Sequence, residues 1–437
     1  MMKYRNYRIL LIFFLLVVII TPCLAQNDTL FLSIDDALNL AWKKSPAKAE
    51  ASIDKRSGAL SLANSIAGIL PTPSASISHT TSKTTLAAGL PELKTKTYAG
   101  SVGLNQVLFD PDVFGNVAKG KLYYDYYRLQ AKDKSANLVY SVKVSYYTLA
   151  KAYNLYDATT SSLRRAEDNY NLAKEKFRLG QITEFELLRS ETFKTQAAID
   201  LLTADKNLKV SMEDLRGQIG FEDNTTLIKP ITVPTAPDLE INTDALFSDI
   251  FAKNPTLESS KKYKSIAKTS FFQSIANLIP SVNLFWQSSY SDSLMPKKIS
   301  DWENDDVISY GVRLNFPIFE IKSYLLNIGN SHNDAKRAKV QLRKAELLLH
   351  KNAINAIYSF KEAKERYQYA SQNLELNRSL RRLAQEQYRL GAISQLDLFN
   401  TELNFNTAQN TYISALYDTY TSYAQIEYLL GIIADKE

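Results

Sequence analysis

Three histidines, His79, His332 and His350, and one cysteine, Cys23, are all the chain offers of the side chains that most often hold metals or attack substrates. Apart from the wide 332/350 pair, no histidine stands at ligand spacing from another, and no nucleophile motif accompanies them. The nearest approach to a phosphate loop, Gly100-x-x-Gly103, lacks the following Lys and a helix start. No enzyme, metal site or cofactor is expected. The carboxylates with informative spacing are Glu186 and Asp397, each three residues after a hydroxyl, Thr183 and Ser394. That is the capping-box pattern, in which a hydroxyl and a carboxylate satisfy orphan backbone donors at a helix start.

The helices that these caps begin can be read from punctuation. All 13 prolines fall in residues 22–111, 230–255 and 280–317, leaving 112–229 and 318–437 free of proline. Lys121–Leu179 and Asn330–Leu390 contain neither Gly nor Pro over 59 and 61 residues. Each is on the order of 90 Å long if continuously helical. Both runs end alike, in Phe177-Arg178-Leu179-Gly180 and Tyr388-Arg389-Leu390-Gly391, and a second helical tract follows each. A left-handed Gly would end the first helix, and the capped tract after it would make a helical hairpin.

The two halves repeat at an offset of about 210 residues. Asp36-Ala37-Leu38 recurs as Asp244-Ala245-Leu246, Ser45-Pro46 as Asn254-Pro255, and Ser-Ile-Ala-Gly-Ile-Leu-Pro at 65–71 as Ser-Ile-Ala-Asn-Leu-Ile-Pro at 274–280. Leu104-Asn105 recurs as Leu314-Asn315, and Gly180 and Gly220 as Gly391 and Gly431. The expected organisation is a first repeat over 26–220, a linker over 221–240 with Pro230, Pro234 and Pro237, and a second repeat over 241–437. Each repeat runs short helix, helix, strand pair, very long helix, Gly tip, return helix.

The strand pairs are expected at about 74–108 and 281–317, after the helix-stopping Pro71 and Pro280. Ile308, Tyr310, Val312, Leu314 and Phe316 alternate with Ser309, Gly311, Arg313 and Asn315, a half-apolar strand. Phe285 interrupts the alternation of Val282, Leu284 and Trp286, and the Ser- and Thr-rich first strand is the weakest. Strands of about ten residues cross a bilayer when tilted. Open sheet edges are not tolerated in lipid, so four strands per chain would demand an oligomer, and a water-filled lumen needs at least three copies. Trp286, Tyr290, Trp302, Tyr310 and Tyr98 have the character of an interfacial belt.

Basic residues 3–8 and the apolar run Ile9–Ile20, followed by Thr-Pro-Cys-Leu-Ala, read as a signal peptide over 1–25. Cleavage after Ala25 is expected, because Pro22 fits an acylation site poorly; the alternative is a lipid-anchored Cys23. With Lys3, Arg5 and Arg8 removed, the formal charge falls from +6 to +3, no signature of nucleic-acid binding.

Together the leader, the repeat, the strand pairs after Ile-Leu-Pro and Leu-Ile-Pro and the Arg-Leu-Gly tips resemble the TolC family of outer-membrane efflux channels, over essentially the whole mature chain. The resemblance implies a homotrimer, mainly α with a membrane portion: a twelve-stranded β-barrel, four strands per chain, continued by a long α-helical barrel in the periplasm. It implies an exit duct of a tripartite efflux pump or type I secretion system, in the outer membrane of a Gram-negative bacterium, with a periplasmic adaptor and an inner-membrane pump as partners. Gly180 and Gly391, with Leu179, Leu390, Arg178 and Arg389, would be the tips that meet the adaptor. Asp397 would be the pore-constricting acid, with Glu186 as its counterpart in the first half. A pair of such charges ~8 Å apart repels by roughly 2 kcal/mol at an effective dielectric of ~20. Asn400 stands where the family has a second aspartate, and Ile393 where it has a basic gate residue. The alternative is a periplasmic coiled-coil adaptor or spacer, which would share the leader, tips and helices but not two lipid-facing strand pairs.

Overall fold

A computed structural model describes residues 29–84, 93–223, 226–231, 242–293, 307–316 and 320–433. The leader, Cys23, Trp302 and most of the linker lie outside these. The elements come in the same order twice. The first series is β1 (Thr29–Leu32), α1 (Ile34–Lys44), α2 (Pro46–Ala67), β2 (Thr72–Thr84), β3 (Leu93–Phe109), α3 (Pro111–Arg178) and α4 (Glu184–Ile219). The second is β4 (Leu227–Pro230), α5 (Thr243–Lys253), α6 (Pro255–Ala276), β5 (Ser281–Asp292), β6 (Val307–Asn315), α7 (Ile321–Arg389) and α8 (Gln395–Leu429). The short strands β1 and β4 are additions to the sequence reading. No helix among the described residues is long and apolar enough to cross a membrane.

By packing, the chain forms two compact units, each drawing segments from both repeats. One comprises Met1–Ser45, Ser141–Pro237 and Ala363–Thr421. Within it β1 and β4 pair in parallel, with Leu32 and Ile228 buried. Tyr146 and Tyr153 donate their hydroxyls to the Leu32 and Ile228 carbonyls at 3.1 and 2.9 Å, fixing α3 against this ribbon. Helix α1 packs on α4, and a Cβ on Gly220 would lie 2.6 Å from the Lys44 carbonyl oxygen.

The other unit comprises Pro46–Tyr140, Asp238–Glu362 and Ser422–Glu437. Ile250, Leu257, Leu349, Phe360, Ile426 and Leu429 form its apolar core. Asn254, buried between α5 and α6, accepts from the Leu257 amide at 2.9 Å and donates to the Leu429 carbonyl at 2.9 Å. One residue thus caps α6 and ties it to α8. Helix α3 continues through Gly115 and Gly120, where Cβ atoms would meet Gln273 and Ser65 at 2.6 and 2.4 Å. Glycine there lets α6 and α2 approach α3 closely.

This second unit also carries a four-stranded antiparallel sheet, ordered β2-β3-β5-β6, leaving β2 and β6 as its edges. Helices α2, α3, α6 and α7 all join it at one end, where Thr72 pairs with Asn105 and Ser281 with Asn315.

Candidate functional site

Register gives the sheet two unlike faces, because directly paired residues point the same way. One face carries Ala75 and Ile77 from β2, Val102 and Leu104 from β3, Val282, Leu284 and Trp286 from β5, and Tyr310, Val312 and Leu314 from β6. Most of its members are exposed on a single chain, Ile77 to 89% and Tyr310 to 79%, so a face this apolar must meet something other than water. The other face carries Ser74, Ser76, Ser101, Asn105, Asn283, Gln287, Ser289, Ser309 and Arg313. Phe285 falls on this polar face, opposite Gly311, with the Arg313 guanidinium 4.7 Å from its ring centroid. The break in alternation is therefore a cation–π pair on the polar face rather than a register error.

Of the aromatics singled out in the sequence, Trp286 sits mid-strand on the apolar face, Tyr310 lies across from it on β6, and Tyr98 stacks on His79 at 4.3 Å. Tyr290 is 4% exposed, lying opposite Gly100.

The hairpin ends are built by local backbone chemistry. Gly180 and Gly391 have φ of 71° and 76°. The Gln181 and Ala392 amides donate to the Lys176 and Gln387 carbonyls at 2.8 Å, and the two glycine amides donate to Phe177 and Tyr388 at 2.9 and 3.1 Å. This is a Schellman ending in both halves. Nothing lies within 4 Å of a Cβ placed on either glycine, so these ends are open. Leu179 and Leu390 are exposed, while Arg178 and Arg389 pair back to Glu175 and Glu386 at 2.9 and 2.8 Å.

After each glycine a reciprocal cap starts the return helix. Thr183 and Glu186 exchange backbone-to-side-chain bonds of 2.9 and 3.3 Å, Ser394 and Asp397 of 3.2 and 3.2 Å. Asp397 and Asn400 are exposed neighbours one turn apart, whereas Leu398 and Phe399 are buried. Ile393 packs against Ala384, Tyr388 and Leu398. Apolar packing therefore occupies the position where the resembled family has a basic group. Burial, with Glu186 nearby, raises the Tyr388 phenol above its ordinary pKa, and the Lys176 ammonium stands 4.1 Å over its ring.

Farther from the tips is a polar cluster that local spacing gives no sign of. Arg165 on α3 donates to Glu402 and Asn406 on α8 at 3.2 and 2.7 Å, Asn406 donates to Ser162 at 2.8 Å, and Gln385 on α7 donates to Glu402 at 2.8 Å. The Arg381 guanidinium lies 4.0 Å over Phe405, and burial lowers its pKa. Lys151 on α3 and Arg366 on α7 both pair with Asp418 on α8. No group of three or more His, Cys, Asp or Glu among the described residues could hold a metal ion.

Comparison with known proteins bears on the whole chain. The family profile described as "Outer membrane efflux protein" matches residues 39–220 and 246–432. The probable efflux pump outer membrane protein TtgC of Pseudomonas putida is 21% identical over 77% of this chain and 69% of its own length. The alkaline protease secretion protein AprF of Pseudomonas aeruginosa is 21% identical over 95% of this chain and 87% of its own. Among solved structures, the CmeC outer membrane channel of Campylobacter jejuni superposes with a TM-score of 0.82 at 16% identity, over 92% of this chain and 87% of that one. VceC of Vibrio cholerae gives 0.78 at 13% identity, over 91% and 96%. At these identities the superpositions establish the fold.

Proposed function

The chain belongs to the outer membrane efflux protein family, whose members are transport channels of the outer membrane, and on that premise we propose that it is the outer-membrane exit duct of an efflux pump or secretion system. The observation that carries this reading is the sheet, apolar on one face and hydroxyl- and amide-lined on the other, with the four helices that adjoin it, α2, α3, α6 and α7, all attached at one end. An apolar outer wall and a wet inner wall are what a channel in lipid requires. Four strands with two open edges close only with other copies, and three copies give a twelve-stranded barrel wide enough for water. The repeats 26–220 and 241–437 then supply equivalent strand pairs and hairpins around that assembly.

Under this reading the open ends at Gly180 and Gly391, with exposed Leu179 and Leu390 and the ion-paired Arg178 and Arg389, are the docking points for a periplasmic adaptor that bridges to an inner-membrane pump. Asp397, flanked by Asn400, narrows and charges the passage, with Glu186 as its counterpart. Trp286, Tyr310 and Tyr98 form part of the lipid-facing surface. The relatives include both an efflux pump protein and a protease secretion protein, so membership of the family does not by itself fix the cargo. Membrane fractionation tests the reading. Retention of the protein in the outer membrane through alkaline carbonate and urea washes, as a detergent-soluble trimer, is expected. Release into the soluble fraction would replace the channel with a periplasmic coiled-coil spacer.

A further inference from the structure

The end of the β2–β3 hairpin away from the helices carries three lysines on one face. Lys83 pairs directly with Lys94, the next rung on that face is Thr81 with Lys96, and the next is His79 with Tyr98. Below them the same face continues as Ile77, Ala75, Val102 and Leu104. From the helix end outward it therefore reads apolar, then a ring pair stacked at 4.3 Å, then cationic. At ~3.3 Å per residue the Lys83–Lys94 rung lies about 13 Å beyond the ring pair. All three lysines are exposed, and no described carboxylate forms an ion pair with any of them. Asp292, across from Tyr98 on β5, accepts from the Tyr290 hydroxyl at 3.2 Å and from the Ser293 amide at 2.5 Å.

Like charges directly opposite on a sheet destabilise it, so a structural role does not account for Lys83 facing Lys94. An external anion does. We propose that Lys83, Lys94 and Lys96 form a binding site for the phosphate groups of lipopolysaccharide in the outer leaflet, with the His79–Tyr98 stack marking the border of the acyl region. This rests on the reading of the apolar face as lipid-facing. Aromatic rings suit the border between lipid and water, and ammonium groups just beyond it suit anionic headgroups. Hairpins whose other end leads into periplasmic helices must present this end to the outer leaflet.

The test uses the full-length assembly in detergent, mixed with micelles containing bisphosphorylated lipid A or its dephosphorylated form. Lipid A retained with the protein on size exclusion is then quantified. The unmodified chain should retain the phosphorylated form about tenfold or more better than the dephosphorylated one, and a combined K83Q, K94Q and K96Q variant should lose about as much. A combined K83R, K94R and K96R variant should keep the binding, which separates charge from any local disturbance of the hairpin. Equal retention by the Gln variant, or of dephosphorylated lipid A, would overturn the site. Carbonate and urea extraction of the same strains separates the two readings: a retained protein that binds lipid A without phosphate preference sinks this site alone, and an extracted one sinks the membrane reading and this site with it.

Discussion

Arg165 and Glu402 meet at 3.2 Å although they stand 237 positions apart in sequence, with 21% and 6% of their side chains exposed. Breaking a buried pair from one side leaves the other charge without a partner, at a cost of about 3–5 kcal/mol. Glu402→Ala should therefore lower the urea or thermal unfolding midpoint in detergent strongly. Replacing both residues with Met should recover most of the loss. A single-variant effect no larger than that of an exposed ion pair would show that the pair is solvated.

The left-handed glycines Gly180, Gly391 and Gly220, with φ of 71°, 76° and 66°, should not be equivalent. Gly180→Ala and Gly391→Ala place a Cβ in open space and incur only backbone strain, about 1–2 kcal/mol. Gly220→Ala adds a contact at 2.6 Å with the Lys44 carbonyl and should be the more damaging, as read by unfolding of the purified variants. Equal losses would mean that α1 shifts freely on α4.

Asp397 holds a cap and carries a charge, and two substitutions separate these roles. Asp397→Asn keeps an acceptor for the Ser394 amide but removes the charge, whereas Asp397→Ala removes both. Reversal potentials from single-channel recordings in a salt gradient should lose cation preference in both variants. Only the Ala variant should also lose about 1 kcal/mol of stability. Unchanged preference in both would locate the filter elsewhere.

Burial pushes the Tyr420 phenol up to about 12, and burial with Asp133 nearby does the same for Tyr428. A tyrosine is neutral when protonated, so the unfolded chain, ionising near ~10, releases these protons first. Their contribution is fully present below pH ~10 and is lost as the pH rises from there toward about 12. Phenolate absorbance should show a lagging set among the 26 tyrosines, and helical circular dichroism should fall as that set titrates. Titration of every tyrosine near ~10 with helicity retained would contradict the packing.

What the sequence made legible was local. The Arg-Leu-Gly endings need only six consecutive residues and the Thr183–Glu186 and Ser394–Asp397 boxes only four, and both appear in the structure with their bonds in place. The strand pairs were legible because alternation is also local, though β3 runs to 17 residues and its alternation, in Tyr98, Val102 and Leu104, is weak. Phe285 looked like a fault until Arg313 and Gly311 were seen beside it on the neighbouring strand. The β1–β4 ribbon and the Arg165–Glu402 cluster were not legible. Four-residue strands carry no period, and side chains separated by 237 positions announce their partnership only once two long helices lie side by side.

The sheet's two open edges have a kinetic consequence. A lone copy entering lipid would carry the unpaired amides and carbonyls of β2 and β6 into hydrocarbon, where each unsatisfied group costs several kcal/mol. On the proposed channel reading, monomers should therefore accumulate outside the bilayer, and insertion should wait for copies to join edge to edge. The rate of appearance of inserted protein should rise more steeply than linearly with its concentration, so halving expression should delay the functional form disproportionately.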